Sequence, residues 1–130
     1  MSTPLKILLV EDNADDEHLT VRALKRFESP IEILVVRDGQ QALDLLLPSV
    51  ESLPSMVLLD LKLPKVSGLN VLAALKANDR TKCLPVVVLA SSDEPAEVRC
   101  GYESFADSTL YKPVCVEEFT RVVKQLGLVA

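Results

Sequence analysis

Five short apolar runs, at residues 5–10, 31–36, 56–59, 86–90 and, more weakly, 108–111, punctuate a chain of 130 residues. Most are near-continuous Val, Ile and Leu, without the polar–apolar alternation of a sheet that has one wet face. Strands of that kind must be covered on both sides. The intervening segments carry helical period, so a parallel sheet sandwiched by helices is the arrangement that buries them. Right-handed crossovers then give a doubly wound α/β domain of (βα)₅ organisation. One core is enough for this length, so a single domain spanning 1–130 is expected, with no effector domain following it.

Start and stop signals place the helices. Asn13 can cap the first, and Asp15, Asp16 and Glu17 suit its positive end. Leu19, Ala23 and Phe27 would form its buried stripe, ended by Ser29-Pro30. The second helix, about residues 40–47, would turn Ala42, Leu45 and Leu46 inward before Pro48. Ser67 caps the third, with Leu69, Leu72 and Leu75 on one face. The fourth is expected to begin near Asp93-Glu94-Pro95, with Val98, Tyr102 and Phe105 facing inward. The fifth presents Phe119, Val122, Val123 and Leu126 and ends at Gly127.

Several function classes are disfavoured. The net charge of −5 and the scatter of Lys and Arg leave no basic face for nucleic acid. No apolar run is long enough to span a bilayer, and the apolar stretch at residues 7–10 is too short for a signal peptide, so a cytoplasmic protein without membrane contact is expected. Cys83, Cys100 and Cys115 are widely spaced and read as reduced, non-catalytic thiols. With His18 as the sole histidine, a zinc site is implausible.

In an open parallel sheet the functional crevice lies outside the carboxyl ends of the strands. Glu11-Asp12 follow the first run, Asp60 the third, Ser91-Ser92 the fourth and Lys112-Pro113 the fifth. Glu11, Asp12 and Asp60 would converge, and their repulsion calls for a proton or a cation. An all-oxygen site with room for water favours Mg²⁺. Three carboxylates, Mg²⁺ and the Lys112 ammonium together carry no net charge, so an incoming phosphoryl group would meet no repulsive excess. Acids after strands are often mere helix caps, but Asp60 is flanked by core-like leucines.

These residues carry a resemblance. Leu9-Val10-Glu11-Asp12-Asn13, Leu58-Leu59-Asp60-Leu61-Lys62-Leu63-Pro64, Ser67-Gly68 and Tyr111-Lys112-Pro113 resemble the receiver domain of two-component response regulators, over essentially the whole chain. Asp38-Gly39-Gln40-Gln41-Ala42-Leu43, Leu63-Pro64-Lys65 and Ser91-Ser92-Asp93-Glu94 most resemble stand-alone regulators paired with bacterial phytochrome-type kinases. The resemblance implies a flavodoxin- and CheY-like fold with strand order 2-1-3-4-5. It implies Asp60 as phosphoacceptor from a kinase phosphohistidine. Mg²⁺, or Mn²⁺ in its place, would be held by Asp12, Asp60 and the Lys62 backbone carbonyl, with Glu11 acting through water. Lys112 would pair with phosphoryl oxygens, and the Lys112–Pro113 bond would be cis. Such a protein is a phosphoacceptor switch and not a conventional enzyme. Its partners would be a histidine kinase, a downstream phosphotransfer or effector protein, and a second copy through the fourth helix, fifth strand and fifth helix, to which the apolar tail Leu126, Leu128 and Val129 could contribute. That tail equally suits capping of the core.

Two positions depart from the family pattern. The Thr/Ser expected at the end of the fourth strand falls on Ala90, and the switch aromatic falls on Thr109, with Tyr111 on the wrong parity. Ser91 would point away from the site unless the backbone shifts locally. The alternative reading is therefore a pseudo-receiver, a constitutive protein-binding module that is never phosphorylated. An aspartyl-nucleophile hydrolase would need an acid where Lys62 stands. A flavodoxin-type carrier would need a phosphate loop where Glu11 and Asp12 stand.

Overall fold

Every apolar run is extended and every intervening segment helical in the computed structural model, which describes residues 4–48, 53–63, 65–91, 95–103 and 105–129, with the backbone alone at 97, 98, 101 and 103. The order is β1 (Leu5–Val10), α1 (Ala14–Leu24), β2 (Ile31–Val36), α2 (Gly39–Leu46), β3 (Met56–Asp60), α3 (Gly68–Ala77), β4 (Val86–Ala90), α4 (Ala96–Glu103), β5 (Ser108–Tyr111) and α5 (Val116–Gln125). All neighbouring strands are parallel in the order β2-β1-β3-β4-β5. The central strands β3 and β4 are buried at every residue. By contrast β2 lies at an edge and leaves Glu32 and Leu34 exposed, which gives it the partial alternation its sequence hides.

Strand parity divides the core into two layers. Leu8, Val10, Val57, Leu59, Val86 and Val88 meet α2, α3 and α4 through Ala42, Leu46, Leu72, Leu75 and Tyr102. Ile7, Leu9, Met56, Leu58, Val87 and Leu89 meet α1 and α5 through Leu24, Phe119, Val122 and Val123. Phe27 and Phe119 close the second layer edge to face, with ring centroids 5.3 Å apart.

Some inward faces differ from expectation. On α1 the buried residues are Thr20 and Leu24, while Leu19 is exposed. On α2, Leu45 is exposed and Leu43 packs against the core instead, because at about 100° per residue Leu43 falls nearer than Leu45 to the buried line of Gly39, Ala42 and Leu46. Phe105 is also exposed, since α4 ends at Glu103 and the periodicity that aimed Phe105 inward stops before it. Asp93 and Glu94, expected with Pro95 to open this helix, and the side chain of Val98 lie outside the described residues. The tail is core capping: Leu126, Leu128 and Val129 pack on the α1/α5 layer. The turn is made by Gly127 at φ 74° and the Leu128 N–H donating to the Val123 carbonyl at 3.1 Å.

Close backbone packing brings α3 against the end of β3. Gly68 donates its N–H to the Leu61 carbonyl at 3.1 Å, and a Cβ there would fall on the Asp60 carbonyl and the Leu61 Cα. Only a residue without a side chain fits. Gly68→Ala is expected to lower stability by about 1–3 kcal/mol through overpacking against backbone, as read by urea denaturation.

Candidate functional site

The carboxyl ends of β1, β3, β4 and β5 open on a crevice of about 480 Å³ lined by Asp12, Asn13, Asp16, Asp60, Lys62, Ser91 and Lys112. Local backbone structure places the strand-end residues there. β3 runs through Asp60, whose Oδ1 accepts the Lys62 N–H at 3.2 Å, and this turns the chain immediately after the strand. Glu11 follows β1, and its N–H still bonds the Val36 carbonyl of β2 at 3.0 Å. The Lys112 N–H likewise continues the ladder to the Ala90 carbonyl at 2.9 Å, and the Lys112–Pro113 peptide is cis. A different, apolar recess of about 380 Å³ beside α2 is lined by residues such as Leu34 and Leu45; it contains none of the strand-end carboxylates.

Glu11, Asp12 and Asp60 offer carboxylate oxygens that all lie within 4.8 Å of one another. Glu11 is fully buried, Asp60 nearly so, and Asp12 is exposed at the rim. Lys112 Nζ reaches into this group, 2.8 Å from Glu11 Oε2 and 3.2 Å from Asp60 Oδ2. Burial, with the neighbouring Asp60 carboxylate as the next cause, pushes the Glu11 carboxyl up to about 7 despite the Lys112 ammonium. For Lys112 burial works downward, but its carboxylate partners outweigh it and raise the ammonium above its usual range. A carboxyl driven toward protonation in an all-oxygen cluster is the chemistry of a hard-cation site, and these residues fit Mg²⁺ or Mn²⁺.

Two residues occupy places that their sequence positions do not announce. Ser91 lines the crevice. The strand ends at Ala90, so alternation stops constraining the next side chain, while Ala90 itself is buried in the layer with Tyr102. Asp16 reads in the sequence only as a helix-terminal acid. Its backbone N–H is capped by Asn13 Oδ1 at 2.9 Å, but its carboxylate crosses the crevice to Lys112 Nζ at 3.0 Å. The available signal is its place in the first turn of the helix that directly follows Glu11-Asp12. Thr109 is half-buried on β5 opposite Val88, and Tyr111, paired with Ala90, is exposed.

A five-stranded doubly wound sheet with an acid cluster and a lysine at its carboxyl edge defines the receiver class of signalling domains. Residues 7–124 match the response regulator receiver domain family, and the chain belongs to it. The chain is 42% identical over 126 residues to the probable methanogenesis regulatory protein FilR2 of Methanothrix harundinacea, covering 95% of this chain and 81% of that protein. It is 36% identical to the response regulator Rcp1 of Synechocystis sp., covering 93% and 85%. The Mn²⁺-bound form of Rcp1 superposes with a TM-score of 0.77 at 34% identity, covering 98% of each chain. The bacteriophytochrome response regulator AtBRR superposes with a TM-score of 0.86 at 39% identity, covering 99% of this chain and 96% of that one.

Proposed function

We propose that this receiver domain is a phosphoacceptor switch in which Asp60 takes a phosphoryl group from a histidine kinase. The observation that carries the reading is the convergence of Glu11, Asp12 and Asp60 on one small volume with the Lys112 ammonium beside them. In the transfer, an Asp60 carboxylate oxygen forms the new O–P bond as the donor P–N bond breaks. The departing imidazole keeps the electron pair and takes up a proton. Lys112 moves a donor from the carboxylates to a phosphoryl oxygen, and the Lys62 N–H holds the spectator oxygen of Asp60. Asp12, Asp60 and the Lys62 carbonyl would hold Mg²⁺ or Mn²⁺, with Glu11 acting through water; the ion would supply charge neutralisation for the transfer.

Ser91, placed in the crevice, stands in for the hydroxyl missing at Ala90 as a further phosphoryl partner. Output would pass through protein contact at α4, β5 and α5, including a second copy of the chain; exposed Phe105 and Tyr111 support that face. The likeness to AtBRR supports a phytochrome-type kinase as the donor. No helix among the described residues is long and apolar enough to cross a membrane, in keeping with a cytoplasmic partner.

Incubation with acetyl phosphate, followed by intact mass, tests the reading. A gain of one phosphoryl group that requires Mg²⁺ is the expected result. Failure to gain it, together with failure to bind beryllofluoride in Mg²⁺, would leave a pseudo-receiver, which the paired changes at Ala90 and Thr109 favour.

A further inference from the structure

We propose that Asp16 restrains Lys112 and thereby sets how strongly the site retains a phosphoryl group; the inference rests on the phosphoacceptor reading of Asp60. An ammonium has three N–H donors. Three carboxylate oxygens crowd this one: Asp16 Oδ2 accepts a hydrogen bond from it at 3.0 Å, and Glu11 Oε2 at 2.8 Å and Asp60 Oδ2 at 3.2 Å form ion pairs with it. An arriving phosphoryl oxygen must compete with these carboxylates for Lys112, and Asp16 is the one that holds an N–H donor.

The three are not equivalent. Glu11 and Asp60 belong to the group of oxygens within 4.8 Å of one another that fits a divalent cation, and Asp16 does not. A cation relieves Glu11 and Asp60 of their need for the ammonium. Asp16 keeps that need in every state of the cluster. It is held in place by its own helix, because Asn13 caps its backbone N–H and α1 is anchored in the core by Leu24. Its side chain bridges 96 positions of sequence to reach the residue after β5.

Charge gives the same sign. Glu11, Asp12 and Asp60 with one divalent cation and Lys112 would be neutral; Lys62 at the rim adds one positive charge, and Asp16 lowers the total by one whatever the others carry. That negative charge favours a cation and disfavours a phosphoryl group. Asp16 is therefore a positioning residue whose removal moves the two affinities in opposite directions.

Calorimetric titration of the wild type, Asp16→Asn and Asp16→Glu decides it, with Mg²⁺ alone in one arm and beryllofluoride at saturating Mg²⁺ in the other. In Asp16→Asn, Mg²⁺ is expected to bind about three- to tenfold more weakly and beryllofluoride more tightly by a similar factor. Asp16→Glu, which restores the charge, should return Mg²⁺ binding toward the wild-type value. Beryllofluoride binding that is unchanged or weakened in Asp16→Asn overturns the proposal, since a merely structural role would weaken both ligands together. If the wild type itself ignores beryllofluoride in Mg²⁺, the phosphoacceptor reading fails, and this inference fails with it.

Discussion

In the Asp60→Asn variant the Mg²⁺-dependent mass gain from acetyl phosphate is expected to vanish, while the fold survives and the metal-free protein gains stability at pH above 7. The first effect follows from chemistry: an amide oxygen is a far weaker nucleophile than a carboxylate and forms no acyl phosphate. The second follows from position. The substituted amide would still offer an oxygen to the Lys62 N–H, the contact that turns the chain after β3. After burial, Asp60 raises the Glu11 carboxyl, through both hydrogen bonding and charge. Removing one of the two buried carboxylates lets Lys112 serve Glu11 and Asp16 without a third claim on it. The gain should be about 1 kcal/mol, less than one unit of relief at Glu11. Intact mass and urea denaturation above pH 7 check both halves. A phosphoryl adduct on the variant would move the acceptor elsewhere, and a large loss of stability would mean that Asp60 is chiefly a structural partner of Lys112.

The sheet was legible because strands buried on both faces are written in near-continuous apolar residues, as β3 and β4 are and β1 is apart from Lys6. The crevice was legible for a topological reason: in a doubly wound sheet the residues that follow the strands share one edge, whatever their distance in sequence. Glu11, Asp60 and Lys112 meet on that edge although no local pattern links them.

Helix faces were harder to read. A stripe such as Leu19-Ala23-Phe27 fixes a period, but the angle of docking decides whether Leu19 or Thr20 turns inward, and here Thr20 does. Phe105 shows the same limit at a helix end: the period carries it inward only while the helix lasts. Ser91 lay beyond the last residue of β4, where strand parity has no authority. Asp16 was hidden by its plausibility as a helix-dipole acid, a role it can fill while its carboxylate holds Lys112.

Metal-free protein is expected to lose stability as pH rises from about 4.5 through about 7, and saturating Mg²⁺ should remove that loss. Glu11 ionises near 4.5 in the unfolded chain and near 7 when folded, because burial and Asp60 disfavour its charge. Between those values the folded state binds more protons, so the stabilising contribution is full below the lower pKa and declines as pH climbs through the upper one. Lys112, whose ammonium is held above its ordinary range, stays protonated across this window and adds no slope to it. The fall should amount to about 1–3 kcal/mol, somewhat below the full linkage of the shift because the crevice relaxes. A divalent cation on the cluster favours ionised Glu11 and lowers its folded pKa, so binding should release protons near neutral pH and strengthen as pH rises. Thermal unfolding across this range, with and without Mg²⁺, reads both effects. A metal-free curve that is flat between the two pKa values would show that Lys112 alone neutralises Glu11, and the cluster would then have no electrostatic demand for a cation.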